Sequence, residues 1–140
     1  MRIAVDFDGT IVEHKYPSIG KEKPFAVETL KQLAADGNQI ILWTVRSGDL
    51  LHDAVKWCSE RGLQFYAVNS NQPEGSLFAA RPNGSPKIQA DIFIDDSNLG
   101  GIPDWSEIYS MVNGREKQLH HRRTHRKPKS FKHWLKHLFR

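Results

Sequence analysis

The stretch Asp6-Phe7-Asp8-Gly9-Thr10 follows directly on a short apolar run, Ile3-Ala4-Val5, which is typical of a buried strand. Side chains two residues apart leave a strand on the same face, so the carboxylates of Asp6 and Asp8 can converge on one reacting centre. Gly9 permits a tight turn where the chain leaves the sheet. The stretch predicts a strand that ends in a phosphate site with a nucleophile and an acid.

The composition favours a compact soluble protein. At 140 residues, of which 39% are hydrophobic, the chain can form one domain with a real core. Cys58 is its one cysteine, so an intrachain disulfide is excluded and a reducing compartment is favoured. The longest apolar runs, such as Ile40-Ile41-Leu42-Trp43, are far shorter than a membrane span. We therefore expect a soluble, cytoplasmic protein with no transmembrane segment.

Charge divides the chain sharply. Residues 1–113 carry 10 Lys+Arg and 15 Asp+Glu, a net charge of −5. Residues 114–140 carry 10 Lys+Arg and one acid, Glu116, a net charge of +9. This division predicts an acidic domain over residues 1–113 and a basic tail over residues 114–140.

Strand-like and helix-like segments alternate in the first half of the chain. Apolar runs predict strands over 2–6, 39–44 and 65–68, and apolar residues at helical spacing predict helices over 24–36 and 48–61. Pro24 suits a first helical turn, and Gly37 and Gly62 suit helix ends.

The second half is less regular. A Gly/Asn/Pro-rich loop is predicted from Asn69 to Pro86, ending in a brief helical turn that holds Lys87. A fourth strand is predicted over 90–95, and a fifth over 107–112. The whole pattern predicts an α/β fold, a doubly wound three-layer sandwich whose mostly parallel central sheet carries helices on both faces.

This topology brings the chemical residues together. Asp6, Thr44 and the pair Asp95-Asp96 each follow a predicted strand, and Lys87 lies just before the fourth. Ligands of such sheets bind at the carboxyl ends of the strands, so we expect these side chains to share one site.

Four segments, taken in order, resemble the motifs of the haloacid dehalogenase-like (HAD) phosphohydrolase superfamily. Asp6-Phe7-Asp8-Gly9-Thr10 is similar to its first motif, Leu42-Trp43-Thr44 to its second, Lys87 to its third and Ile92-Phe93-Ile94-Asp95-Asp96 to its acidic fourth. The resemblance covers about residues 1–112 and implies a HAD-like Rossmannoid fold with phosphatase activity.

The resemblance also implies a role for each residue. Asp6 would attack phosphorus and form an aspartyl-phosphate, while Asp8 would protonate the leaving oxygen and then activate water. Thr44 would hydrogen-bond the transferring phosphoryl oxygens, and Lys87 would pair with Asp6 and neutralise phosphate charge.

The cofactor implied by the resemblance is Mg2+, held by Asp6, Asp95 and the backbone carbonyl of Asp8, with Asp96 acting through water or orienting the ligands. Elementary electrostatics supports a cation here, because an anionic nucleophile cannot approach an anionic phosphate monoester unless positive charge screens both. Arg46 has two interpretations of equal weight: it contacts a substrate phosphate, or it is a surface residue that leads into a helix.

Superfamily members often carry a cap domain over the site. Here the segment 11–23 is short, and 45–86 is used largely by a helix, a strand and a loop. We therefore expect a capless member with an open site, whose phosphorylated substrate is a small molecule or a macromolecular end.

The basic tail has an amphipathic pattern. Apolar residues fall at helical spacing in its last part, at Phe131, Trp134, Leu135, Leu138 and Phe139. Such a helix could pack on its own domain or on a second subunit, or bind an anionic partner such as nucleic acid or a membrane surface. Residues 121–123 lack apolar spacing and are predicted to be a flexible linker.

Two further functions use the same residues. A phosphotransferase would pass the phosphoryl group to a hydroxyl other than water, and a phospho-acceptor switch would retain it, although a switch is disfavoured because its acceptor would follow a later strand. A third alternative is a non-catalytic anion- or nucleic-acid-binding protein on the same scaffold. The leading prediction is a Mg2+-dependent phosphomonoester hydrolase.

Overall fold

The computed structural model of the chain describes residues 1–74 and 86–124. Its strands are β1 (Arg2–Val5), β2 (Gln39–Leu42), β3 (Ala67–Val68) and β4 (Ile92–Ile94). Its helices are α1 (Ala26–Ala35), α2 (Gly48–Glu60) and α3 (Trp105–Thr124). The alternation of strands and helices predicted for the first half of the chain is confirmed, with boundaries that move by one or two residues.

The described strands form one parallel sheet in the order β3-β2-β1-β4. Ile3 of β1 is in register with Ile40 of β2 on one side and with Ile92 of β4 on the other. The chain leaves β1 towards β2, but it reaches β4 on the opposite side of β1. The connections therefore run in opposite directions from β1, and the place between the ends of β1 and β4 is the switch point of the sheet. Parallel sheets bind ligands at such a point.

The three helices share one face of the sheet. The side chains of Ile3 and Val5 on β1 are fully buried in a core cluster that also holds residues of α1, α2 and α3. Leu30 and Leu33 come from α1, Ala54 and Cys58 from α2, and Trp105, Ile108 and Val112 from α3. Each set recurs at helical spacing, which is why one face of each helix is apolar.

The other face of the sheet has a smaller cluster, in which Ile88 packs with one residue from each of β1, β2 and β3: Ala4, Ile41 and Ala67. The described residues thus place no helix on this face, so they do not show the helices on both faces that the sequence predicted. The predicted helical turn that holds Lys87 is also not seen, since residues 86–90 contain no helix.

The predicted fifth strand is wrong. Residues 107–112 lie inside α3, and the flexible linker predicted at 121–123 also belongs to this helix. The apolar residues of the segment extend to Trp105, which lies outside the predicted strand, and their spacing of three and four residues matches a helix rather than the alternation of a strand.

The tail pattern at 131–139 lies outside the described residues. None of the helices in the part of the chain that the structure describes has the length and apolar content needed to cross a membrane.

Candidate functional site

Three carboxylates meet at the switch point of the sheet. Asp6 follows β1, and its backbone N–H donates to the carbonyl of Ile94, 3.0 Å away, which joins the ends of β1 and β4. Asp95 and Asp96 follow β4 directly. One oxygen from each of the three carboxylates lies within 4.8 Å of the other two. The predicted convergence of the first and fourth motifs is therefore seen in the structure.

Thr10 holds this cluster together. Its Oγ1 lies 3.3 Å from an oxygen of Asp6 and 3.3 Å from an oxygen of Asp96, and it accepts the backbone N–H of Asp96 at 3.1 Å. The carbonyl of Thr10 accepts the indole N–H of Trp105 at 2.9 Å, in a buried hydrogen bond. The first residue of α3 is thus tied to the turn that follows β1.

Gly9 allows the turn to approach Asp96 closely. Its φ is +82°, in the left-handed region, and a Cβ added there would lie 2.2 Å from Oδ2 of Asp96. No other amino acid fits this position without moving the carboxylate.

The environment of Asp6 disfavours its charge. Burial raises its pKa to about 7, and the nearby charges of Asp95 and Asp96 act in the same direction, while a hydrogen bond from the Phe7 backbone partly offsets them. A divalent cation among the three oxygens would reverse this effect and favour the ionised form. Hard carboxylate oxygens at this spacing are the donor set that Mg2+ prefers, so the residues fit the predicted metal.

Asp8 has a different partner, because its carboxylate forms a bidentate ion pair with Arg46. Nε and Nη2 of Arg46 donate to its two oxygens, both at 2.7 Å. The two side chains are buried, with 0% and 7% of their surface exposed. The hydrogen bonds to Asp8 raise the pKa of Arg46. Both oxygens of Asp8 are therefore engaged by one guanidinium.

All five N–H groups of the Arg46 guanidinium have an acceptor. Besides Asp8, they donate to the carbonyls of Ser18 at 2.9 Å, Pro17 at 3.1 Å and Leu50 at 3.4 Å. The guanidinium also lies over the rings of Phe7 and Tyr16, at 5.2 and 5.3 Å from their centres.

The interpretation of Arg46 as a surface residue is therefore wrong. Its N–H groups are all used within the protein, so in this arrangement it does not offer one to a substrate. Arg46 instead ties the loop after β1 to the first turn of α2.

Thr44 lies just beyond the end of β2. Its backbone N–H donates to the Asn69 side chain at 2.8 Å, and its hydroxyl accepts the backbone N–H of Arg46 at 3.2 Å. The structure thus places Thr44 at the predicted edge of the sheet. Lys87 is exposed, next to the buried Ile88, in the segment that leads into β4.

Two asparagines bind the backbone close to Thr44 and Lys87. Asn69 orients the Thr44 backbone, and Asn71 exchanges two hydrogen bonds with the backbone of Gln89, at 2.6 and 2.8 Å. The sequence pattern predicts a role for neither asparagine, nor for Trp105. Asn71 lies in a stretch that the sequence marks only as loop, and a lone Trp signals burial without naming its hydrogen-bond acceptor.

Fold and site together define an α/β protein with a parallel sheet and an acidic, metal-competent cluster at its switch point. Neither a scan of protein-family models nor a search of curated proteins gave a match. A search of solved structures found a conserved protein from Bacteroides thetaiotaomicron, with a TM-score of 0.76 and 56% sequence identity. The match covers 82% of this chain and 91% of that one. The chain belongs to the same family as this conserved protein.

Proposed function

We propose that the protein is a Mg2+-dependent phosphomonoesterase of the HAD-like class that works through an aspartyl-phosphate on Asp6. The observation that carries the proposal is the cluster of Asp6, Asp95 and Asp96 at the switch point. Three carboxylates brought this close together from the ends of β1 and β4 repel one another when ionised, and a cation among them would offset that repulsion.

Asp6 is the nucleophile in this proposal. Its carboxylate oxygen forms a bond to phosphorus while the bond from phosphorus to the leaving oxygen breaks, and water later releases phosphate and restores the carboxylate. When bound, Mg2+ would neutralise phosphate charge and keep Asp6 ionised. Asp95 and the backbone carbonyl of Asp8 are the other proposed ligands, and Asp96 acts through water or orients the ligands.

The remaining residues act on the phosphoryl group and on protons. Thr44 offers its hydroxyl to the transferring oxygens, and Lys87 reaches over the same edge with a positive charge. Asp8, two residues after Asp6, is the group proposed to exchange a proton with the leaving oxygen or with water. Its bidentate ion pair with Arg46 occupies both carboxylate oxygens, so Asp8 must release one of these hydrogen bonds before it exchanges a proton.

The site is open in this proposal. Between β1 and α1 the chain forms only a loop closed by isolated bridges of Val12 with Asp8 and with Glu22. We propose a capless enzyme in the cytoplasm, acting on a phosphorylated small molecule or macromolecular end.

The test is hydrolysis of an aryl phosphate, and of phosphorylated sugars, nucleotides and oligonucleotide ends, with Mg2+ or EDTA. Wild type is compared with Asp6→Asn, and Asp49→Asn, an exposed carboxylate in the first turn of α2, is the matched control. We expect metal-dependent turnover that Asp6→Asn abolishes and Asp49→Asn keeps. Turnover that survives in Asp6→Asn would exclude the aspartyl-phosphate route.

Added alcohol separates a hydrolase from a phosphotransferase, since a transferase would yield a new phosphate ester instead of free phosphate.

A non-catalytic anion-binding protein is the second candidate. The exposed Lys117, Arg122 and Arg123 near the end of α3 favour it. No turnover on any substrate, together with salt-dependent binding of an oligonucleotide, would support it.

A further inference from the structure

An apolar groove runs along the outer side of β4. It has a volume of about 330 Å³ and lies between the strand and α3. Ile92 and Ile94 line it from the strand, and Ile108, Met111 and Val112 line it from the helix. Met111 is 56% exposed and Phe93 38%, so two large apolar side chains that line the groove face solvent together.

The groove lies at an open edge. Within residues 1–74 and 86–124, β4 pairs with β1 on one side and with no strand on the other. Proteins rarely leave such an edge bare beside apolar side chains, because its unpaired backbone groups invite association with other chains. A covering element is therefore expected.

We propose that the apolar residues at 131–139 of the same chain cover this groove. Trp134 and Leu138 are four residues apart, so in a helix they would lie on one face. A helix face placed in a groove needs this spacing, and the volume accommodates an indole ring with a neighbouring aliphatic side chain.

The connecting chain is long enough. Val112 lies twelve residues before the end of α3 at Thr124, a distance of about 18 Å along a helix. Seven further residues lead from Thr124 to Phe131, and an extended chain of that length spans about 23 Å. The segment can therefore turn back from the end of α3 and reach the groove.

Charge favours this occupant. The groove is flanked by Asp91 and Asp95 on the strand side, with Arg115 as a counter-charge on the helix. Residues 1–113 carry a net charge of −5, and residues 125–140 contain six Lys+Arg and no acid. A basic segment beside an acidic domain gains long-range attraction that a second acidic domain would lack.

Cysteine cross-linking of the full-length protein tests the proposal. The variant Met111→Cys/Leu135→Cys is treated with a short bis-maleimide. The control is Glu28→Cys/Leu135→Cys, because Glu28 is exposed on α1. The native thiol does not interfere, because Cys58 is buried and its pKa is raised to about 12.

We expect an intramolecular cross-link in the first variant at least ~10 times faster than in the control, because docking raises the effective concentration of the two thiols. Cross-linked dimers in place of the intramolecular product would assign the groove to a second copy of the chain and overturn the proposal. Equal rates in both variants would also overturn it.

A second measurement does not depend on introduced thiols. Met111→Lys places a positive charge in the groove, and we expect trypsin to cut the basic segment about 10-fold faster than in wild type, because undocked chain is cleaved more readily. Glu28→Lys is the matched control and should cut at the wild-type rate. Unchanged cleavage in Met111→Lys would mean that the segment lies elsewhere.

Discussion

Removing the Arg46 side chain should destabilise the protein strongly. The substitution Arg46→Met keeps much of the side-chain volume, but it leaves the Asp8 carboxylate, 7% exposed, without its cation. Breaking a buried ion pair from one side costs about 3–5 kcal/mol in the free energy of unfolding. The carbonyls of Pro17 and Ser18 also lose a donor, but these residues are exposed and water can replace it. The unpaired carboxylate therefore dominates the loss.

The assay is urea unfolding followed by circular dichroism, with a thermal melt as a second readout. A loss of about 3–5 kcal/mol corresponds to a fall in Tm of roughly 10–20 °C for a domain of this size. Asp8→Asn should also be destabilising, since it leaves the guanidinium without its anion. The double variant should lose about 2 kcal/mol less than the sum of the two single losses, because each removes the same interaction.

Arg61→Met is the matched control. Arg61 stacks 3.7 Å from the centre of the Trp57 ring and donates to the Trp57 carbonyl at 2.9 Å, but it is exposed at the end of α2. We expect its loss to cost less than about 1 kcal/mol. The reasoning is refuted if Arg46→Met lies within 1 kcal/mol of wild type, or if the losses of Arg46→Met and Asp8→Asn are additive.

Three further predictions concern the carboxylates. In EDTA, the folded-state pKa of Asp6, about 7, exceeds its ordinary value of 3.8, so the stability gained by protonation is lost as pH rises through 7. In urea unfolding, the free energy of unfolding of wild type should fall by roughly 1–2 kcal/mol relative to that of Asp6→Asn between about pH 5 and 8, and Mg2+ should restore it. Parallel pH profiles of the unfolding free energy in the two proteins would contradict this. Gly9→Ala should lower the Mg2+ affinity measured by calorimetry about 10-fold or more, because the added Cβ causes about 1–3 kcal/mol of strain against Asp96. Gly37→Ala is the control and should leave the affinity unchanged, because Gly37 also has a positive φ, +94°, but no atom lies within 4 Å of the added Cβ. Because Arg46 occupies both oxygens of Asp8, protonation of the leaving group should be inefficient, and kcat/KM for aryl phosphates should exceed that for alkyl phosphates by about 100-fold or more. Equal values would show that leaving-group protonation is efficient.

The sequence predicted the parts of the fold that follow from local pattern. β1, β2 and the two helices α1 and α2 are marked by apolar spacing and by glycines at their ends, and the acidic residues at the ends of β1 and β4 meet because the strands are parallel. The predicted strand over 107–112 was wrong because a six-residue window contains too few apolar residues to separate the two periods. Trp105, just outside that window, carries the deciding information.

The partner of Arg46 could not be predicted from local pattern. Arg46 and Asp8 are 38 residues apart, and nothing near either residue in sequence indicates that both are buried. An arginine after a strand is exposed in most proteins, so its two interpretations had equal weight. Burial of a charged group is a tertiary property, and it depends here on the loop after β1 folding over the guanidinium.

The two acids of the opening motif have opposite surroundings, and this difference organises the site. Asp8 faces a guanidinium whose five N–H groups are all engaged, so its charge is balanced within the protein. Asp6, two residues earlier, has Asp95 and Asp96 among the groups that raise its pKa, and it becomes anionic at neutral pH only at an electrostatic cost. A cation from solution lowers that electrostatic cost at Asp6. At Asp8 the same cation would be stabilised little, because Arg46 already balances the negative charge. In the proposed mechanism, the ion pair with Arg46 would therefore leave the β1–β4 side of the turn, next to Asp6, as the favoured position for the metal.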